Sequence, residues 1–129
     1  MRSFLLLFIS TYIFAYTLDV KIDNIKNNKG YVVIKVYKNP KNFLKTPYKQ
    51  LVLKAYKTLS CKFNLPKGIY AITIFHDENS NHILDRNFFH FPTEGYGFST
   101  NPFLFGKPTF SDAEFPLKEN LTMKIDMKY

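Results

Sequence analysis

The chain has no tryptophan, one cysteine, five glycines and only two arginines among its 129 residues. A single cysteine excludes an intrachain disulfide framework, so the fold is not a stapled mini-protein. Arginine supplies the planar, bidentate contacts that read base edges, and past the first fifteen residues only Arg86 remains, which disfavours sequence-specific nucleic-acid recognition. Amphipathic helical periodicity, internal repeats and low-complexity tracts are all missing as well. What is present is 46% apolar and 18% aromatic residues, which is enough to bury a core in one domain-sized unit. Disorder and a multidomain enzyme are both excluded on these grounds.

The only long apolar run is at the start, MRSFLLLFISTYIFA, with a cation at Arg2, an apolar stretch from Phe4 to Phe14 and a small residue at Ala15. This is the layout of a secretory signal peptide over residues 1–15. The run falls short of the ~20 apolar residues of a membrane-spanning helix. Ile13 departs from the small-x-small pattern before the expected cleavage point, which keeps an uncleaved anchor as the alternative. The rest, 16–129, is expected to be one exported domain, periplasmic or secreted, without a transmembrane span once the leader is removed. In that compartment the lone Cys61 has two readings. It alternates with Ser60 and Lys62 on an apolar strand face, as a buried small hydrophobe would, or it pairs with another chain.

From Tyr16 onward the apolar period is two. Leu18, Val20 and Ile22 alternate with Asp19, Lys21 and Asp23, and Val32, Ile34 and Val36 form the next apolar face. Asn27-Asn28-Lys29-Gly30 between them reads as a hairpin turn. Asn39-Pro40 and Thr46-Pro47 bracket a crossover loop, since proline cannot serve a central ladder. Further strands are expected at 51–57, 59–65, 69–76, 109–115 and 121–129, with turns at Pro66-Lys67-Gly68 and Lys118-Glu119-Asn120. These total about seven strands and predict an all-β, antiparallel β-sandwich. IYAITIFH is apolar on both parities, which places that strand centrally. Residues 77–108 read as a long loop insertion.

That loop carries the candidate site. HDENSNHILD puts Asp77, Asn79, Asn81 and Asp85 at positions 1, 3, 5 and 9 of a calcium-loop template, with the carbonyl of Ile83 at position 7. Oxygens at every second residue let a short turn wrap a hard cation. Two template residues differ: position 6 is His82 instead of glycine, and position 12 is Phe88 instead of a bidentate glutamate. Glu94 is the expected replacement if the loop folds back, giving a weak calcium site of about 10⁻⁴ to 10⁻³ M. The competing reading is a series of Asx-turns with no ion. Zinc is disfavoured because His76, His82 and His90 have no ligand spacing and no thiolate nearby. His76 reads as a packed or hydrogen-bonded strand residue. Gly95 and Gly97 around Tyr96 permit close backbone approach or present Tyr96 and Phe98 to the core. Phe88, Phe89, Phe91, Phe103 and Phe105 read as a lid over an end of the sandwich or as an apolar partner surface.

GIYAITIFHDENSNHILDRN, FPTEGYGFSTN, FGKPTFSDAEF and the final LTMKIDMKY resemble an exported bacterial family catalogued as domain of unknown function 2141. The resemblance covers 65–129 closely and the first half only as generic strands behind a leader. It implies an exported sandwich of the transthyretin or immunoglobulin type, with no activity attached. The chain departs from the family in the loop, where Asn81-His82 stands for Asn-Gly and Phe91 for a glycine.

Charge is uneven. Residues 16–67 hold 12 lysines against 2 aspartates, whereas 68–129 hold 5 cations against 8 acids. Lys35, Lys54 and Lys62 fall on outward strand positions, with Lys38, Lys41, Lys45 and Lys49 in or beside the loop after the second strand. Either a solvated lysine surface or a polyanion-binding face follows. Asn120-Leu121-Thr122 matches a glycosylation sequon by coincidence at a turn. A non-catalytic exported module, stiffened by calcium and contacting an envelope or extracellular partner, is the leading expectation. A binder of a small apolar ligand or a polyanion is second. A hydrolase built on His76, Asp77 and Glu94 is third, because no nucleophile motif accompanies them.

Overall fold

The computed structural model describes residues 3–9, 14–83, 94–104 and 106–129. Its elements are β1 (Ala15–Asp23), β2 (Tyr31–Tyr37), a 3-10 turn (Pro40–Asn42), β3 (Lys49–Lys54), β4 (Leu59–Pro66), β5 (Gly68–Asp77), β6 (Tyr96–Phe98), α1 (Phe110–Ala113), β7 (Phe115–Leu117) and β8 (Leu121–Asp126). They form a β-sandwich of a three-stranded sheet, β4-β1-β8, and a five-stranded sheet, β3-β2-β5-β6 with β7 also on β5. The alternation explains the layers. Leu18, Val20, Ile22, Leu65 and Ile125 from the first sheet meet Val32, Ile34, Val36, Ile72 and Ile74 from the second in one core cluster. Each side chain of this size contributes about 1.5 to 3 kcal/mol on full burial. Cys61 lies on this inner face, and burial pushes its thiol up to about 11, with the Asp19 charge adding to the effect.

A smaller cluster sits on the outward side of the five-stranded sheet. Tyr37, Phe43, Ala71, Phe110 and Ala113 pack there with Phe98 against them. β5 is therefore covered on both faces at one end, which is why IYAITIFH reads apolar on both parities, and it is the central strand.

Several connections differ from expectation. Residues 27–30 do not close a hairpin: β1 pairs with β4 and β8, while β2 pairs with β3 and β5, so the turn carries the chain between sheets. The loop bracketed by Pro40 and Pro47 is no crossover, because β2 and β3 are antiparallel neighbours and the chain returns to the edge of the same sheet. The pairing of β1 with β8 is parallel, so the sandwich is mostly rather than wholly antiparallel. The strand expected over 109–115 divides into α1 and β7. The carboxylate of Asp112 accepts the Thr109 backbone N–H at 2.7 Å and its hydroxyl at 3.0 Å, and this local closure turns the backbone helical. The expected 77–108 insertion contains a strand, β6, which pairs Thr73, Ile74 and Phe75 of β5 with Phe98, Gly97 and Tyr96.

The described residues contain no helix long and apolar enough to cross a membrane.

Candidate functional site: the Asp77 loop and its supports

The loop starts where β5 runs out of core. Asp77 is fully buried at the end of the strand, and its carboxylate organises the turn that follows. One oxygen accepts the Asn81 N–H at 3.0 Å and the other the His82 N–H at 2.7 Å. The Asn79 side-chain oxygen accepts the same Asn81 N–H at 3.2 Å, and that of Asn81 accepts the Ile83 N–H at 3.0 Å. Oxygens of residues 77, 79 and 81 thus follow one another around a single tight turn.

Ser80 and His82 both take left-handed backbone, at φ 59° and 63°. At position 6 of the calcium-loop template this is the conformation that glycine adopts without penalty, and here a histidine adopts it. The sharp turn is thus made with a histidine, and its cost is held as local strain. The His82 ring lies 3.8 Å from the Asp77 carboxylate.

Glu94 returns to this turn. It is nearly fully buried, and its Oε2 accepts the Glu78 N–H at 2.7 Å. Glu78 in turn accepts a hydrogen bond from the Asn27 amide at 3.2 Å, tying the loop to the β1–β2 connection. Asp77, Asn79, Asn81 and Glu94 therefore meet in the turn that follows β5, Ile83 enters it only through its N–H, and Asp85, Phe88, Phe89, His90, Phe91 and Phe105 lie outside the described residues. Among the described residues no group of three or more His, Cys, Asp or Glu side chains is arranged around one metal position.

Two glycines make this arrangement possible. Gly30 has φ +66°, and a Cβ there would fall 1.9 Å from the Asp77 carbonyl oxygen, so the β1–β2 connection can press against the loop only without a side chain. At Gly95 a Cβ would meet the Tyr129 ring at 2.3 Å.

Tyr129 and His76 form a support that the sequence pattern did not signal. His76 is fully buried, its Nε2 is 2.6 Å from the Lys29 carbonyl and its Nδ1 is 2.7 Å from the Tyr129 hydroxyl. A carbonyl only accepts, so Nε2 carries the proton and Nδ1 accepts from Tyr129. The Tyr129 oxygen meanwhile accepts the Lys26 N–H at 3.0 Å. Burial pushes the Tyr129 phenol above its ordinary value, which the Lys26 hydrogen bond partly offsets and the Glu78 charge reinforces. The phenol therefore remains a donor at neutral pH. The residue pair lies 53 positions apart, and only the sheet pairing that brings 128 beside 96 unites them.

Gly97 packs against Ile125 and Met127, the close-approach role, and Phe98 turns toward the smaller cluster. Phe103 is 82% exposed. Beside it a cavity of about 220 Å³ is lined by Tyr96, Phe98, Pro102, Leu104, Asp126 and Lys128. The expected cationic positions separate by layer: Lys35 and Lys54 lie on the outward side of β2 and β3, whereas Lys62 lies on the outward side of the other sheet.

No curated protein and no solved structure matches the chain. A bacterial family described as uncharacterized protein conserved in bacteria, domain of unknown function 2141, matches over residues 20–125, a span that takes in β2 to β7 whole, most of β8, part of β1, the Asp77 loop and Glu94. The chain belongs to that family.

Proposed function

We propose that the protein is an exported, non-catalytic β-sandwich module in which the 77–94 segment binds calcium weakly, and that the stiffened loop region serves contact with an envelope or extracellular partner. The observation that carries this reading is the Asp77 turn: a buried carboxylate, two amide side chains and a returning glutamate in the turn that ends the central strand, with left-handed backbone at the template's glycine position. Export is supported by the charged and apolar leader pattern of residues 1–15, with Ala15 as the small residue before the expected cleavage point. The same hydrogen bonds would serve an ion-free Asx turn, so the two readings part on calcium itself.

Calorimetric titration of calcium into the purified protein tests it. A Kd of about 10⁻⁴ to 10⁻³ M, lost in the Asp77→Asn/Asp85→Asn variant and not reproduced by magnesium, is expected. Absence of calcium heat up to 10 mM in the unmodified protein would reduce the loop to a hydrogen-bonded turn.

A further inference from the structure

Residues 44–57, LKTPYKQLVLKAYK, run from the loop after β2 through β3, an edge strand of the five-stranded sheet among the described residues, and into the connection to β4. Lys45, Lys49, Lys54 and Lys57 lie in this stretch, all exposed, and it contains no acid. Leu44, Tyr48, Val52 and Tyr56 alternate with them at a spacing of four residues and are 37, 37, 42 and 61% exposed. Their exposure is not a shortage of core positions, because Leu51, Leu53 and Ala55 of the same stretch already pack inward.

Lysines are also held at this edge. The ammonium groups of Lys38 and Lys49 stand 4.1 and 5.4 Å from the centre of the Tyr48 ring, and that ring stacks 6.4 Å from Tyr70. Two cations over one half-exposed tyrosine give a fixed positive rim on an apolar side chain.

Among the described residues β3 has a single neighbour, β2, and its other side is an unpaired strand edge. A second copy is a poor occupant, since lysines along an edge repel their own kind and are a recognised protection against edge pairing. A soluble polyanion would be served by the cations but not by the apolar side chains between them. A surface that offers both negative charge and an apolar layer beneath it serves both kinds of side chain along this edge, and tyrosine is suited to that boundary.

We propose that the 44–57 edge is a docking surface for an anionic lipid membrane. It names a partner for the interaction reading above and rests on export for access to such a surface, but is independent of calcium.

The test is sedimentation of the full-length protein with phosphatidylglycerol vesicles and with phosphatidylcholine vesicles, taken as a ratio so that affinity contributed by the Phe4–Phe14 run cancels. Surface lysines contribute about fivefold each, so Lys45→Gln/Lys49→Gln/Lys54→Gln/Lys57→Gln should lower the ratio on the order of several hundredfold. A control of equal charge, Lys26→Gln/Lys29→Gln/Lys107→Gln/Lys118→Gln, should lower it less than about tenfold, the share expected of long-range charge alone. The Val52→Thr/Tyr56→Ser variant should weaken vesicle binding without altering retention on an immobilised acidic polysaccharide. Equal losses in the two lysine sets, equal binding to the two vesicle types, or capture by the polysaccharide without vesicle binding would each overturn the proposal. Failure here with an intact calcium titration leaves the module reading standing and removes only the membrane.

Discussion

The Tyr129 hydroxyl, the His76 ring and the Lys29 carbonyl form a chain of hydrogen bonds at the foot of the Asp77 loop, and single atoms in it carry measurable stability. Tyr129→Phe removes the donor to a fully buried ring nitrogen and the acceptor for Lys26, with an expected cost of about 2 kcal/mol in chemical denaturation. A loss below about 0.5 kcal/mol would mean that the contact has no structural weight. Gly30→Ala should be far worse, on the order of 4 kcal/mol or failure to fold, because positive φ and a backbone clash coincide. His82→Gly should act in the opposite sense and raise stability by about 1 kcal/mol, since it relieves left-handed strain at φ 63°. Titration adds a pH signature. Desolvation raises Cys61, to about 11, and likewise raises Tyr37, Tyr70 and Tyr129, so each favours the folded state while protonated. That stability is complete below the unfolded values of about 8.5 to 10 and is lost as pH rises through the folded ones. Melting points should be level between pH 7 and 8 and fall from about pH 9; a midpoint unchanged at pH 10.5 would contradict the burial of these groups.

At the scale of elements, Ser99 links three pieces that the alternation alone does not connect. Its buried hydroxyl accepts the Ile72 N–H at 2.9 Å and donates to the Ala113 carbonyl, which holds α1 against β5. Ser99→Ala should cost about 2 kcal/mol and speed amide exchange through Phe110–Ala113 well before β1 or β2 is affected. Uniform exchange across all elements would show that α1 has no separate hold. Asn101 acts similarly at the edge of β8, where its amide donates to the Lys124 carbonyl and accepts the Asp126 N–H, in place of a neighbouring strand.

The same elements show what the letters could convey. Long stretches with one clean alternation, such as Leu18-Val20-Ile22 and Val32-Ile34-Val36, were legible because a two-residue period on a half-buried strand has no competing interpretation. Tyr96–Phe98 was not, since three residues around a glycine carry no period and owe their pairing to β5. Phe110–Ala113 was misread because Thr109 and Asp112 decide the backbone locally while the apolar spacing fits strand or helix. Sheet membership also escaped the sequence: turn residues at Asn27–Gly30 announce a turn but not which layer receives the next strand. In the site, the spacing of Asp77, Asn79 and Asn81 and the return of Glu94 were readable, whereas the His76–Tyr129 pair depends on contacts across the whole chain.

On the whole molecule the cationic, partly apolar stretch 44–57 and the acidic turn at Asp77–Glu78 meet at one end of the five-stranded sheet, where Lys54 and Asp77 both lie opposite Tyr31 and Glu94 adjoins the turn. Because β2 pairs Tyr31 with Asp77 and β3 pairs Lys54 with Tyr31, the two regions share one sheet and a common rigid frame. Calcium at the loop would then act on global stability as well as on local order, since a ligand that binds only the folded state stabilises all of it. The most direct test of the account is the thermal midpoint of the protein in 10 mM calcium, 10 mM magnesium and EDTA. With a Kd of about 10⁻⁴ to 10⁻³ M, calcium should add about 1.4 to 2.7 kcal/mol, on the order of 5 to 10 °C, and magnesium much less. A midpoint identical in calcium and EDTA would contradict the calcium module and leave the Asp77 loop as a strained, hydrogen-bonded turn.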